Sequence, residues 1–198
     1  MLKHLVWENK IHFTNIVDKI AADSSNLIKT LSDYEKKIIN FSSGLEDSES
    51  NKLKGDMFEV LSAIFFERMG DSPHVGINDY KPIALEDDYG VDAIGINAAN
   101  TKVAIQVKFR SNQTNLISYQ DLAKTFAYAI VRKWVSPEDK NSIYLFTNSN
   151  GVTPACKTVL GNRLVLIDRQ VLTHYLDNNK LFWANFIKRI YLILKEDK

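Results

Sequence analysis

The stretch 88–110 constrains the fold more than any other part of the chain. Its first arm reads Asp88-Tyr89-Gly90-Val91-Asp92-Ala93-Ile94-Gly95-Ile96, and its second reads Lys102-Val103-Ala104-Ile105-Gln106-Val107-Lys108-Phe109-Arg110. Both arms are short and rich in branched apolar residues, which suits a pleated, buried surface. Between them Asn97, Ala98, Ala99 and Asn100 tolerate a tight reversal. Side chains alternate along a strand, so Val103, Ile105, Val107 and Phe109 point one way and Ala104, Gln106, Lys108 and Arg110 the other. A turn centred near Ala98 and Ala99 sets Asp92 opposite Gln106, one pleat from Lys108. A carboxylate, an amide and an ammonium then share one face of an otherwise apolar sheet. The bland alternative is a solvated edge strand, where Lys discourages pairing with another sheet.

The flanking sequence alternates helical and strand patterns. Residues 4–41 read as helical from Ile16, Ile20, Leu27, Leu31 and Ile38, with Asp23-Ser24-Ser25 as an interruption that could cap a second helix. Residues 42–50 read as an acidic, glycine-containing linker. Residues 54–69 form the strongest helix: Met57, Val60, Leu61 and Ile64 make a wide apolar face, Phe58, Phe65 and Phe66 extend it, and Gly70 ends it. Glu59 lies on the remaining side, aligned with Asp56, Ala63 and Phe66. A short strand is expected at 81–85. Ser118 caps a helix from Tyr119 to about Trp134, with Leu122, Phe126, Ile130 and Trp134 as its stripe. Strands are expected at 142–147 and 163–168, a helix near 154–160, a turn at 147–151, and one or two helices over 171–194. The reading is an α/β fold with a mixed sheet flanked by helices. Residues 1–50 form an N-terminal helical arm, and residues 51–198 form one domain with a C-terminal helical extension.

Charge is uneven although the total is only +1. Residues 101–135 carry six bases (Lys102, Lys108, Arg110, Lys124, Arg132, Lys133) and one acid, Asp121, a net of +5. Residues 79–92 carry five acids (Asp79, Glu86, Asp87, Asp88, Asp92) and one base, Lys81, a net of −4. An acidic pocket beside a basic surface suits a metal ion next to a polyanion. A single cysteine, Cys156, excludes an internal disulfide and a cysteine metal cluster. The start lacks the apolar run of a signal peptide, and no stretch approaches the roughly 20 apolar residues of a membrane span. These features point to a cytoplasmic protein with no membrane partner.

Hydrolysing a phosphodiester at neutral pH needs an activated water and relief of charge at phosphorus, which carboxylate-held Mg²⁺ and a neighbouring lysine supply. Asp92 is the natural central ligand, with the Gln106 amide oxygen and the Val107 carbonyl beside it. Glu59 reaches the same ion if its helix packs behind the hairpin. Lys108 is placed for the water or the phosphate. Arg110, Gln113, Gln120 and Lys124 are candidates for contact with a DNA backbone.

Asp92, thirteen residues, then Gln106-Val107-Lys108, preceded by a helix carrying Glu59, resembles the PD-(D/E)xK nuclease superfamily. The closest likeness is to its Mrr-type branch, in which Gln replaces the acid before x-Lys. Gly90-Val91-Asp92 and the run from Ile105 to Arg110 are also similar to nuclease domains attached to some phage and viral helicases. The likeness covers residues 54–150. It implies a restriction-endonuclease-like fold and DNA cleavage dependent on Mg²⁺, for which Mn²⁺ can substitute, with catalytic roles for Glu59, Asp92, Gln106 and Lys108. Two departures stand out: no Pro precedes Asp92, and Gln106, a weaker ligand than Glu for a hard cation, holds the third position. The competing expectation is a nuclease fold kept as a DNA-binding or assembly module. Partners under either expectation are DNA, a second copy of the chain, and a helicase or other nucleic-acid-processing protein.

Overall fold

The computed structural model describes residues 1–83 and 90–196. The chain divides into two compact units, one of residues 1–64 and 172–198, the other of residues 65–171.

The first unit is helical: α1 (Leu2–Glu8), α2 (Lys10–Ala22), α3 (Leu31–Ser42), α4 (Asp47–Met69) as far as Ile64, the end of α7 (Arg169–Leu176), and α8 (Lys180–Lys195). Its core sets Tyr34 against Phe186 at 5.1 Å and against Trp183 at 5.9 Å, with the Tyr34 hydroxyl donating to the Met57 carbonyl at 2.7 Å. Two local expectations fail here. Helix α3 is capped by Thr30, in a reciprocal box with Asp33, while Asp23 caps only a single 3₁₀ turn at Ser24–Asn26. Helix α4 starts at Asp47, seven residues before the expected Lys54, so the last four residues of the expected linker are helical. Asp47 and Glu49 lie in its first turn, where acids complement the helix dipole; the acidity that suggested a loop stabilises a helix start instead.

The second unit holds a five-stranded sheet in the order β1 (Ile77–Pro82), β2 (Ala93–Asn97), β3 (Lys102–Lys108), β4 (Ile143–Thr147), β5 (Leu164–Ile167). Strands β1, β2 and β3 are antiparallel neighbours, whereas β3–β4 and β4–β5 are parallel. The hairpin register is the expected one: Ala93 pairs with Ile105 and Ile96 with Lys102. Strand β1 lies earlier than the expected 81–85, with a bulge where Asp79 takes a positive φ of 52°; residues 84 and 85, and the acids Glu86, Asp87 and Asp88, lie outside the described residues.

Helix α5 (Tyr119–Val131) joins β3 to its parallel neighbour β4, and α6 (Pro154–Leu160) joins β4 to β5. Ser118 caps α5, as the sequence indicated, and does so in a reciprocal box with Asp121. The helix stops at Val131, short of Trp134. Lys133 takes a positive φ of 56°, and the Trp134 and Lys133 N–H groups turn back to the Ala129 and Ile130 carbonyls at 2.9 Å. That is a Schellman closure formed on a lysine, without the glycine that usually announces one. Leu122, Thr125 and Ala129 are the fully buried positions of α5, while Phe126 and Ile130 are half-buried.

Neighbouring residues of a strand face opposite sides, and this separates two layers of core. Leu145 packs with Leu122, Cys156 and Leu160 under α5 and α6. Phe146 meets Phe65 and Phe66, the last turns of α4, at 5.3 and 5.6 Å. Gln106 is in register with Leu145, so it lies on the face covered by α5.

Candidate active site

The C-terminal half of β3 brings three of the expected site residues into contact. The Asp92 carboxylate, 8% exposed, accepts at one oxygen from the Gln106 side-chain amide and from the Val107 backbone N–H, both at 2.5 Å. The same amide nitrogen lies 3.3 Å from the Val107 carbonyl. Backbone pairing fixes the approach: the Asp92 N–H donates to the Ile105 carbonyl at 3.0 Å, which places the carboxylate opposite Gln106. Lys108 follows on the same face, half-exposed, and no acid pairs with its ammonium among the described residues. Glu59 belongs to the other unit; it is half-buried on α4, and its carbonyl accepts from the Ser62 hydroxyl at 2.9 Å.

Sequence reasoning passed over Thr125. It is fully buried on α5, and its hydroxyl lies 2.5 Å from the Gln106 amide oxygen and also on the Gly90 carbonyl. Gly90 has a φ of +91°, and a Cβ there would stand 3.3 Å from the Lys124 Cβ, so only glycine brings that carbonyl so close to α5. The available signal was a β-branched hydroxyl residue within the apolar stripe of a helix.

A second cluster fixes the end of β3. Asn148, expected in a turn, is fully buried; its amide oxygen accepts from the Arg110 N–H at 2.6 Å, and its NH₂ donates to the Arg110 carbonyl at 2.9 Å. The Thr147 hydroxyl donates to the Lys108 carbonyl at 2.7 Å, and Ser149 donates to the Asn115 carbonyl at 2.9 Å. The Arg110 guanidinium holds Asp121 at 2.8 Å. Burial alone would raise the Asp121 carboxyl; bonds from Arg110 and from the Ser118 N–H and hydroxyl overcome it and hold the carboxyl below its ordinary value. Of the other backbone-contact candidates, Lys124 and Gln120 are exposed, and Gln113 is half-buried with its carbonyl accepting from the Asn150 N–H at 2.9 Å. The six bases form no single patch. Arg132 lies 5.5 Å over both Tyr128 and Trp134 at the far end of α5, and Lys102 begins β3, away from Lys108. Cys156 is buried, and burial with the Asp121 charge pushes its thiol up, which makes it a core residue.

No three His, Cys, Asp or Glu residues come together to hold a metal among the described residues. The Asp92 carboxylate and the Val107 carbonyl converge with the Gln106 amide, whose nitrogen faces them and whose oxygen faces Thr125; with that oxygen brought round, the three make a hard donor set of the kind Mg²⁺ takes alongside a substrate phosphate. The donor set therefore fits such an ion, with its amide member turned.

A family model described as restriction endonuclease, Mrr_cat, matches residues 50–176. The chain belongs to this restriction endonuclease family, a family of nucleases, in agreement with the Asp92/Gln106/Lys108 spacing and with an α/β, mixed-sheet, restriction-endonuclease-like fold. The match extends well beyond the 54–150 that the motif covered. No curated protein matches at a significant level. Among solved structures, the chain is similar to one titled MspJI restriction endonuclease in complex with a 27-mer oligonucleotide, with 16% identity and a TM-score of 0.43, covering 85% of this chain and 38% of that one. No helix among the described residues is long and apolar enough to cross a membrane.

Proposed function

We propose that the chain is a divalent-metal-dependent DNA endonuclease, with Mg²⁺ as the cation and Mn²⁺ as its substitute. The observation that carries this reading is the buried Asp92 carboxylate gathered with Gln106 and Val107, with Lys108 next on the same strand face, in a chain of the restriction endonuclease family. When bound, the cation supplies positive charge at the phosphate and eases deprotonation of the attacking water. Asp92 would hold it through its carboxylate, and Gln106 and Val107 through neutral oxygens. Glu59 is proposed as a further ligand on its place in the motif. Lys108 offers an ammonium with three donors to the oxygen where charge develops. Lys124, exposed beside Gly90, and Gln113 and Gln120 would position the DNA backbone; a phosphate at Arg110 has to compete with Asp121.

The Asp92 carboxylate alone leaves a divalent cation with surplus positive charge, which a phosphodiester oxygen, with Glu59 where it joins the site, would balance. Tight cation binding is therefore coupled to DNA. Cutting both strands needs two such sites, which a homodimer on the duplex would provide. We divide the chain on the same footing into the arm 1–50 and the nuclease domain 51–198. The test is cleavage of plasmid and branched DNA in Mg²⁺ or Mn²⁺ by wild type and by Lys108→Ala. Wild type should nick or linearise the substrate and the variant should be slower by about a hundredfold or more; equal degradation by the two sinks the assignment.

A further inference from the structure

We infer that Thr125 is a positioning residue that sets which end of the Gln106 amide faces the Asp92 carboxylate, and so whether Gln106 latches Asp92 or helps it hold a cation. The inference rests on the metal-dependent reading above and goes beyond it by naming a residue outside the motif and a rearrangement of the site.

The reasoning is a count of hydrogens. A threonine hydroxyl carries one hydrogen, yet the Thr125 hydroxyl faces two acceptors, the Gly90 carbonyl and the Gln106 amide oxygen. It can donate to only one of them at a time. On the other side of the amide, the Gln106 NH₂ and the Val107 N–H both donate to one Asp92 oxygen. In this arrangement the carboxylate is satisfied by the chain itself, and the amide oxygen is turned away from it.

Exchanging the amide's two ends changes the count. The NH₂ then donates to the Thr125 oxygen, the Thr125 hydrogen goes wholly to the Gly90 carbonyl, and every group on the α5 side is matched. The amide oxygen now faces the Asp92 carboxylate, which is unfavourable by charge until a cation stands with them. By charge, the first arrangement is the favoured one while no cation is bound, because the NH₂ then faces the carboxylate, and the second is favoured once a cation stands between the oxygens. Gln106 is suited to this where Glu is not, because a carboxylate presents oxygen at both ends and has nothing to exchange. Gly90 takes part through its backbone, which its positive φ brings against α5. All the participating groups are held by β3, α5 and the short segment before β2, and both Gln106 and Thr125 are buried, so water is poorly placed to substitute.

Removing the hydroxyl costs the cation-free arrangement one hydrogen bond and the cation-bound arrangement two. Thr125→Val should therefore weaken Mn²⁺ binding by the worth of about one buried hydrogen bond, about fivefold. Thr125→Ser keeps the hydroxyl and should bind within about twofold of wild type. In a Gln106→Glu background, where there is no NH₂ to reseat, Thr125→Val should change the affinity by less than about twofold.

The experiment is calorimetric titration of the full chain with Mn²⁺ in the presence of a short phosphorothioate DNA duplex, with circular dichroism to verify that each variant is folded. In parallel, the Gln106 side-chain NH₂ is followed by NMR. Its through-space contact should be to the Val107 N–H without metal and to the Thr125 methyl group once Mg²⁺ is added. Weakening in Thr125→Val that Ser restores and Gln106→Glu abolishes supports the inference. Equal affinity of wild type and Thr125→Val overturns it, as does weakening that persists in the Gln106→Glu background or an NH₂ whose contacts ignore Mg²⁺. A wild-type chain that binds no Mn²⁺ even with DNA overturns the metal-dependent reading and this inference together, whereas the other failures leave that reading standing.

Discussion

Two polar clusters sit four residues apart on the end of β3 and are built differently. The one at Arg110 closes on itself: Asn148 takes the Arg110 N–H with its oxygen and gives its NH₂ to the Arg110 carbonyl, while Arg110 and Ser118 together satisfy Asp121. Each donor there has an acceptor, with the Ser118 N–H and hydroxyl sharing one Asp121 oxygen and Arg110 taking the other. The one at Gln106 is uneven at Thr125, where two acceptors, the Gly90 carbonyl and the Gln106 amide oxygen, face a single hydroxyl hydrogen. A fully matched network holds one geometry, whereas an unevenly matched one has a second arrangement within reach. The contrast assigns scaffolding to the Arg110 cluster and chemistry to the Gln106 cluster, although both are buried, polar and near the same strand end.

The sharpest way to break that contrast is to neutralise its single buried carboxylate. Asp92→Asn keeps the shape of the side chain and removes the charge a cation needs. Plasmid cleavage in Mg²⁺ should fall by about a thousandfold while far-ultraviolet circular dichroism stays that of the folded chain. Wild-type rates from this variant make Asp92 a structural strand residue, and the contrast collapses.

The Arg110 cluster should fail in the opposite manner. Asn148→Leu fills the same space but leaves the Arg110 N–H and carbonyl without their partners. Each unpaired group costs roughly 1–3 kcal/mol, so a loss of about 3 kcal/mol in unfolding free energy is expected from denaturant titration. Below the melting transition, cleavage should drop far less than in Asp92→Asn. A variant that is as stable as wild type and catalytically dead exchanges the roles of the two clusters.

How much of this was legible beforehand follows the same division. Alternation in the hairpin was enough to place Asp92 against Gln106, because a period of two allows few registers once the turn is located. The Ser118 cap was legible because its partner, Asp121, lies three residues away. Thr125 and Asn148 were not, since their partners are 19 and 38 residues distant and their importance depends on how α5 and β4 pack on β3. The helix ends that were misplaced share a cause. Asp47 and Glu49 act through the helix dipole and Lys133 through an unusual φ, and neither residue type by itself marks a boundary. The sequence reading made the helix carrying Glu59 the other half of the site. Within the sheet unit, the side chain that closes on Gln106 comes from α5.

The smallest effect concerns pH and tests whether the Arg110 cluster acts through charge or only through shape. The Asp121 carboxyl is held below 3.8, its ordinary value, so it binds its proton less readily folded than unfolded. A depressed carboxyl contributes stability above the unfolded value and loses it as the pH falls through the folded one. Asp121 and Arg110 are each 28% exposed, so solvent screening limits the contribution to about 1 kcal/mol. Asp121→Asn should thus be less stable than wild type by about that amount at neutral pH, with the gap narrowing as the pH drops below 3.8. Denaturant titrations of both chains at neutral and acid pH measure it. A gap of the same size at every pH means that Asn cannot reproduce the capping geometry. The cluster would then be held by its fit, and the ion pair would be incidental to it.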